Sequence, residues 1–274
     1  MPSVGLVFRS QRVSILLFCA ATFFFWASLY LYVPVLPVYA KSLGASLSMV
    51  GAVISSYAIA QLVLRIPIGL FADILGKRKP LVVAGIVASA VGALGLGLAP
   101  SPWPLFLARA ATGVGAATWV VFPVLFASYY PREQAMRAIG IISFVNGAAI
   151  VVATYAGGVI AQLWGFAPVF FGAVSLGVMG LVAVLPAKEP VVQRTRPVSW
   201  GGFVRVATHP LLLTVSGISI LLHFVIFSGV FGFIPVYAEK IGASRADLGV
   251  MTMLSMGSGA LASLGVAYMA ERWG

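Results

Sequence analysis

Apolar runs longer than the ~20 residues needed to cross a bilayer recur along this chain of 274 residues. Composition agrees: 61% of residues are hydrophobic, 8% are charged and the mean hydropathy is +1.07. A soluble domain would carry about a quarter charged residues. A transmembrane barrel would show short segments of alternating polarity, and these runs are continuous. The chain therefore reads as an all-α polytopic membrane protein.

The net charge of +11 would suit a nucleic-acid binder if the cations were clustered, but they sit mainly in short loops on alternate sides of the spans. That pattern sets topology, so no nucleic-acid partner is expected and the lipid bilayer is the surrounding medium. Arg9, Arg12, Lys77, Arg78, Lys79, Arg132, Arg137, Lys188, Arg194, Arg196 and Arg205 fall on the inner side; Lys41, Lys240 and Arg245 fall outside. Cys19 stands alone inside a span, where it suits packing rather than a disulfide or zinc site.

Helix one is expected from Val13 to about Val38, too long for the apolar core of a signal peptide. It ends in Pro34 and Pro37, which disturb backbone hydrogen bonding and so need protein or a cavity beside them. Helix two is expected over about 49–71 with Gln61 and Arg65, helix three over 81–98, and helix four over 105–128 with Arg109. Helix five spans about 138–163 with Asn146, Gly157 and Gly158, and helix six 169–185. Residues 1–187 thus form a six-helix bundle, 188–209 a polar cytoplasmic linker, and 210–274 two further helices, about 211–237 and 248–270.

One stretch punctuates this series: Gly69-Leu-Phe-Ala-Asp73-Ile-Leu-Gly76-Lys77-Arg78-Lys79. An acid at a helix C-terminus faces the negative end of the macrodipole, and the cations just beyond can compensate it. The pattern G-x-x-x-D-x-x-G-[KR]-[KR] resembles the loop between helices two and three of major facilitator superfamily transporters, with Ile74 where that family usually has Arg or Lys. Pro34 to Pro37 resembles the P-x-x-P at the end of helix one in the family's drug exporters. Arg109-Ala-Ala-Thr112-Gly113-Val-Gly115 resembles its helix-four motif, whose arginine is associated with proton coupling. Gly157 and Gly158 match the end of the exporters' helix-five motif, but Ala153-Thr154 replaces its Gly-Pro.

The chain also repeats itself. Residues 36–76 align without a gap on 234–274: Pro37-Val38-Tyr39-Ala40 recurs as Pro235-Val236-Tyr237-Ala238, and Gly44-Ala45-Ser46 as Gly242-Ala243-Ser244. A repeat of six helices in one orientation fits parallel halves related by an axis along the membrane normal. Gly274 falls midway through the second copy of the loop motif, so the chain reads as a fragment lacking about four helices.

All six acids stand at helix ends or in loops, so no carboxylate proton carrier is evident. Arg109 stands about four residues into helix four, ~6 Å from its end, and can either snorkel outward or serve the transport path. Arg65 can snorkel inward or pair with another helix. His223 can titrate near neutral pH, or stay neutral and bonded to a neighbouring helix. Asn146 and Gln61 suit helix-to-helix hydrogen bonds or the substrate path. Phe23, Phe24, Phe25, Trp26, Tyr30 and Trp119 read mostly as lipid-facing or packing residues, on helices that line the family's cavity.

The sequence offers no phosphate-binding loop, metal cluster or nucleophile constellation, so ATP-driven transport, enzymatic chemistry and a bound cofactor have no support in it and none is expected. The resemblance implies a secondary transporter of a small organic solute, working by alternating access and driven by an ion gradient, with proton-linked efflux favoured. Asp73 would hold the inner gate, oriented by Lys77 and Arg78, with Gly69 and Gly76 allowing the turn. The alternatives are an importer or facilitator of sugars or organic acids, and a non-transporting receptor on the same fold. A monomer in the plasma membrane with a cytoplasmic N-terminus is implied.

Overall fold

The computed structural model describes residues 4–190, 205 and 208–258, with side chains from residue 11 onward. The linker 191–204 and the end of the second repeat, including Ala270, Glu271 and Gly274, lie outside the described residues, as does Arg9 as a side chain. The helices are α1 (Val4–Tyr30), α2 (Leu36–Ser42), α3 (Leu47–Leu75), α4 (Lys79–Gly97), α5 (Pro102–Ala117), α6 (Phe122–Ala127), α7 (Ala135–Trp164), α8 (Phe166–Val184), α9 (Pro210–Val225), α10 (Ile234–Lys240) and α11 (245–258). A 3-10 turn, Thr118–Val121, joins α5 to α6, and a π-helix, Ile226–Phe233, joins α9 to α10. Among the described residues seven continuous helices are long and apolar enough to span a membrane.

Helix one ends at Tyr30, earlier than the apolar run suggests. Pro34 lacks an N–H and disfavours helical backbone at the residue before it, so the chain turns through 31–35. Tyr30 and Tyr32 carbonyls accept from Val33 and Val35 at 3.3 and 3.2 Å, and Pro37 then sits in the first turn of α2. In contrast, α3 runs on to Leu75 and carries Asp73 in its last turn; Gly76 closes it with φ +65° and an N–H donated to Ala72 at 3.1 Å. Pro67 stays inside α3.

The repeat is visible in the backbone. Gly44 and Gly242 both have positive φ, at +86° and +100°. Ala45 and Ala243 each donate back across that turn, to Ala40 at 3.0 Å and Ala238 at 2.9 Å. Ser46 caps α3 through the Met49 N–H, and Ser244 caps α11 through the Asp247 N–H, both at 3.2 Å.

In a membrane, helices associate through close packing and interhelical hydrogen bonds. Small residues allow it here. α5 packs on α3 and α4, α8 on α1 and α4, and α7 on α1. A Cβ on Gly113 would stand 2.6 Å from the Tyr57 carbonyl oxygen, and one on Gly157 would collide with the Leu31 carbonyl. Gly158 faces another helix: its Cβ would meet the Gly249 Cα at 2.6 Å and the Arg245 carbonyl at 2.8 Å. Adjacent glycines thus serve two neighbours, the broken end of α1 and the start of α11.

Candidate functional site

The centre of the bundle holds a buried cation. Arg109 is only 3% exposed, so it does not snorkel. Its guanidinium carbon stands 4.0 Å from the Tyr57 ring centroid and 5.5 Å from that of Tyr32. Nη1 donates to the Tyr32 hydroxyl at 3.3 Å and lies 3.4 Å from Thr112 Oγ1. Desolvated cation–π contacts are worth up to ~2 kcal/mol, and they take the place of an ion pair: among the described residues no carboxylate pairs with Arg109, and its Nε has no hydrogen-bond partner.

The local sequence explains how this stack is built. The turn before Pro34 carries Tyr32 inward, where it also stacks on Phe170 at 5.6 Å. Gly113, one turn beyond Arg109, brings α3 close enough for Tyr57 to lie over the guanidinium. A Cβ on Gly69 would meet the Val120 side chain at an ordinary 3.8 Å, so packing does not demand a glycine there.

Aromatic side chains continue the site. Trp26 meets Trp119 at 5.2 Å and Tyr30 at 5.7 Å. The π-helix supplies the other side: Phe231 meets Tyr30 at 5.9 Å, and Phe227 meets Tyr57 at 6.1 Å. A π stretch inside a helix is uncommon and frequently marks a functional place. Tyr57, Gln61 and Arg65 share one face of α3 at four-residue spacing, which the sequence already carries as a signal for this site.

Arg65 fits neither expectation for it. It bonds Gln61 Oε1 on its own helix at 2.5 Å. Both Arg65 and Arg109 lie within electrostatic reach of the Tyr30 and Tyr57 phenols. His223 likewise turns to its own helix: Nδ1 is 2.8 Å from the Ser219 carbonyl, with the ring stacked on Phe227. Asn146 is half-buried on α7 and its Nδ2 is buried without a partner. Phe25 and Trp26 point into the core, whereas Phe23 and Phe24 are half-buried.

A second constellation gathers where α3 stops and α4 begins, the basic end of the molecule. Arg78 Nη2 reaches Asp73 Oδ1 at 3.3 Å, so of the two expected orienting cations Arg78 is the one in contact. Residues 185–189 then bind this end together. Glu189 accepts from the backbone N–H of Arg78 at 2.5 Å and of Lys79 at 3.3 Å, placing an anion at the positive N-terminus of α4. Lys79 Nζ donates to the Leu185 and Ala187 carbonyls at 2.6 and 2.7 Å, at the negative end of α8. Tyr129 donates its hydroxyl to the Lys188 carbonyl at 2.7 Å, and Lys188 N–H reaches Ser14 Oγ at 3.2 Å. Burial first, and then the Glu189 carboxylate, push the Tyr129 phenol up to about 12.

At the opposite end Arg245 ties α11 to α7 and α8. Its N–H meets Gln162 Oε1 at 3.0 Å, Nη1 meets the Ala161 carbonyl at 3.1 Å, and its guanidinium lies 4.1 Å from the Phe166 ring centroid. Neither Arg245 nor Glu189 stands out in the sequence, because each acts on backbone atoms distant in the chain.

Known proteins match this chain along most of its length. A family model described as Major Facilitator Superfamily matches residues 18–274. The inner membrane transport protein YajR of Escherichia coli is 32% identical over 206 residues, 73% of this chain and 45% of that relative. The multi-drug resistance efflux pump PmrA of Streptococcus pneumoniae is 32% identical over 53% of this chain and 37% of its own length. The chain thus spans less than half the length of these relatives. Among solved structures, the nucleoside transporter NupG superposes over 95% of this chain and 69% of its own with a TM-score of 0.75, at 17% identity.

Proposed function

The chain belongs to the Major Facilitator Superfamily, and on that footing we propose that it serves as a secondary transporter exporting a small organic solute by alternating access, linked to a proton gradient. One observation carries this reading: the aromatic surround of the buried Arg109 continues from the first bundle to the seventh span through Tyr30–Phe231 and Tyr57–Phe227. The α9–α11 segment closes against the bundle at the Gly158–Gly249 end, while α9 has no buried residue towards the basic end. With the basic end taken as cytoplasmic by the positive-inside rule, the Gly158–Gly249 contact lies on the outer side in this reading.

In this reading Asp73 and Arg78 work as part of the inner gate, in the plasma membrane. Export and proton linkage rest on the resemblance around Arg109 and Pro34 to Pro37. An uncoupled facilitator is the second reading, favoured by the absence of any Asp or Glu from the middle of the described spans.

Everted vesicles carrying the intact protein test both, with ethidium, naphthoate and naphthylmethanol as probes. Proton-linked export predicts uptake of at least one probe that a protonophore abolishes and that Arg109→Gln removes. Uptake indifferent to the protonophore would favour the facilitator, and no flux of any probe would sink the transport reading.

A further inference from the structure

Arg245 is badly placed for its own helix. It is the first residue of α11, behind the Ser244 cap, where the positive end of the macrodipole disfavours a cation. Asp247, in the same turn, suits that end and is held there by the Ser244 hydroxyl and N–H. The repeat puts Leu47 at the equivalent position, the first residue of α3, and that leucine is 52% exposed. Starting the helix therefore does not call for a cation, and the reason for Arg245 lies outside α11.

That reason is the end of α7. The Ala161 carbonyl belongs to its last turn, where it also accepts the closing bond from the Gly165 N–H at 3.1 Å. Arg245 Nη1 donates to this carbonyl at the negative end of the α7 dipole, a place that favours a cation. Its backbone N–H meets the exposed Gln162, and its guanidinium covers the Phe166 ring at the start of α8. Phe166 in turn meets Tyr39 of α2 at 5.3 Å, and the Tyr39 hydroxyl reaches the Ala99 carbonyl beyond α4 at 3.5 Å. One side chain of the second repeat thus engages a line of contacts across the rim of the first bundle. The Gly158–Gly249 contact lies one turn deeper on both helices, and Val38, Ala238 and Leu248 form a buried apolar cluster beside Phe166.

We propose that Arg245 is the latch of the outer face: it holds α11 on the corner between α7 and α8, and its release lets the two repeats part there. The geometry suits a contact that opens. Gln162 is exposed and Arg245 only half-buried, so both return to water when the helices separate and no buried charge is stranded. The latch rests on the alternating-access reading for its purpose and on the positive-inside rule for its side of the membrane.

The test uses the purified intact protein on a cysteine-free background in mild detergent, with maleimide labelling as the readout. Ala238→Cys reports on the outer apolar cluster, and Ala138→Cys, fully buried near the basic end of α7, is the control. Arg245→Gln should speed labelling of Ala238→Cys at least ~10-fold, a shift of ~1.4 kcal/mol between shut and open, and leave Ala138→Cys protected. Arg245→Lys keeps the charge but not the flat fork and stack, and should fall between. Joining Gln162→Cys to Arg245→Cys by a disulfide should stop probe flux in the everted vesicles, and reduction should restore it. Labelling unchanged by Arg245→Gln, equal speeding at both reporters, a pair that does not cross-link, or flux that ignores the cross-link would each overturn the assignment. Faster labelling at Ala238→Cys alone, in protein that moves no probe, would leave the latch standing and remove the transport reading instead.

Discussion

The basic end of the molecule and the end opposite it are held together by different forces. At the basic end, residues 185–189 make directional hydrogen bonds, several charge-assisted, onto helix termini: Glu189 on the start of α4, Lys79 on the end of α8. At the other end, α7 and α11 meet backbone to backbone at Gly158 and Gly249, and Arg245 adds bonds at the rim. The first arrangement depends on charge and tolerates changes of volume. The second depends on volume and tolerates little. Under the proposed alternating access these contacts would have to part and re-form, and a small-residue contact parts without leaving a buried charge unpaired.

The sharpest way to break this comparison is volume. Gly158→Leu places a side chain where backbone atoms cannot yield, and should cost ~3 kcal/mol or more of stability by unfolding in mild detergent, the upper end for overpacking. Tolerance of that change would show that the two helices are not in contact. Glu189→Ala comes next, because it leaves the Arg78 and Lys79 N–H groups without their acceptor. A loss of ~1–3 kcal/mol is expected; Glu189→Gln should lose less, and only its Glu189 reference should weaken with salt.

Tyr129→Phe removes one hydroxyl bond, for ~0.5–1.5 kcal/mol. A phenol raised to about 12 contributes stability that is complete below its unfolded pKa near ~10 and is lost as pH rises towards about 12, so the gap between wild type and Tyr129→Phe should close across that window. The smallest effect belongs to Asp247, whose carboxyl is held below its usual range by the Ser244 hydroxyl and then by the Ser244 N–H. Its contribution is present above an unfolded pKa of ~3.9 and is lost as pH falls through the lower folded value. Asp247→Asn should therefore lie slightly below wild type above that pKa, and the two pH–stability curves should converge as pH falls through the acid limb.

Much of the architecture was legible in the sequence because bilayer thickness fixes span length, and because Pro34 and Gly76 announce breaks locally. The paired turns at Gly44 and Gly242 were legible as a repeat. The partners of Arg109 were not. Tyr32 reaches it through a turn whose direction depends on Pro34, and Tyr57 through the height of α3 on α5, which Gly113 sets. A lone arginine near a helix end therefore leaves the snorkelling reading open until those neighbours are in place. His223 and Arg65 misled for a related reason: each finds its acceptor one turn away on its own helix, a choice that spacing permits but does not reveal.

The π-helix Ile226–Phe233 also sets the phase of the whole seventh span. A wide turn holds one residue more than an α turn, so the helix beyond it is rotated by ~100° from where an unbroken α-helix would stand. Residues 210–225 have no buried member, whereas Phe231 and Gly232 within the π-helix and Pro235 and Ala238 beyond it are buried. Tightening that single turn would swing Phe231 off Tyr30 without bending the helix axis. The span thus contains its own rotary joint, at the level where the cargo would sit.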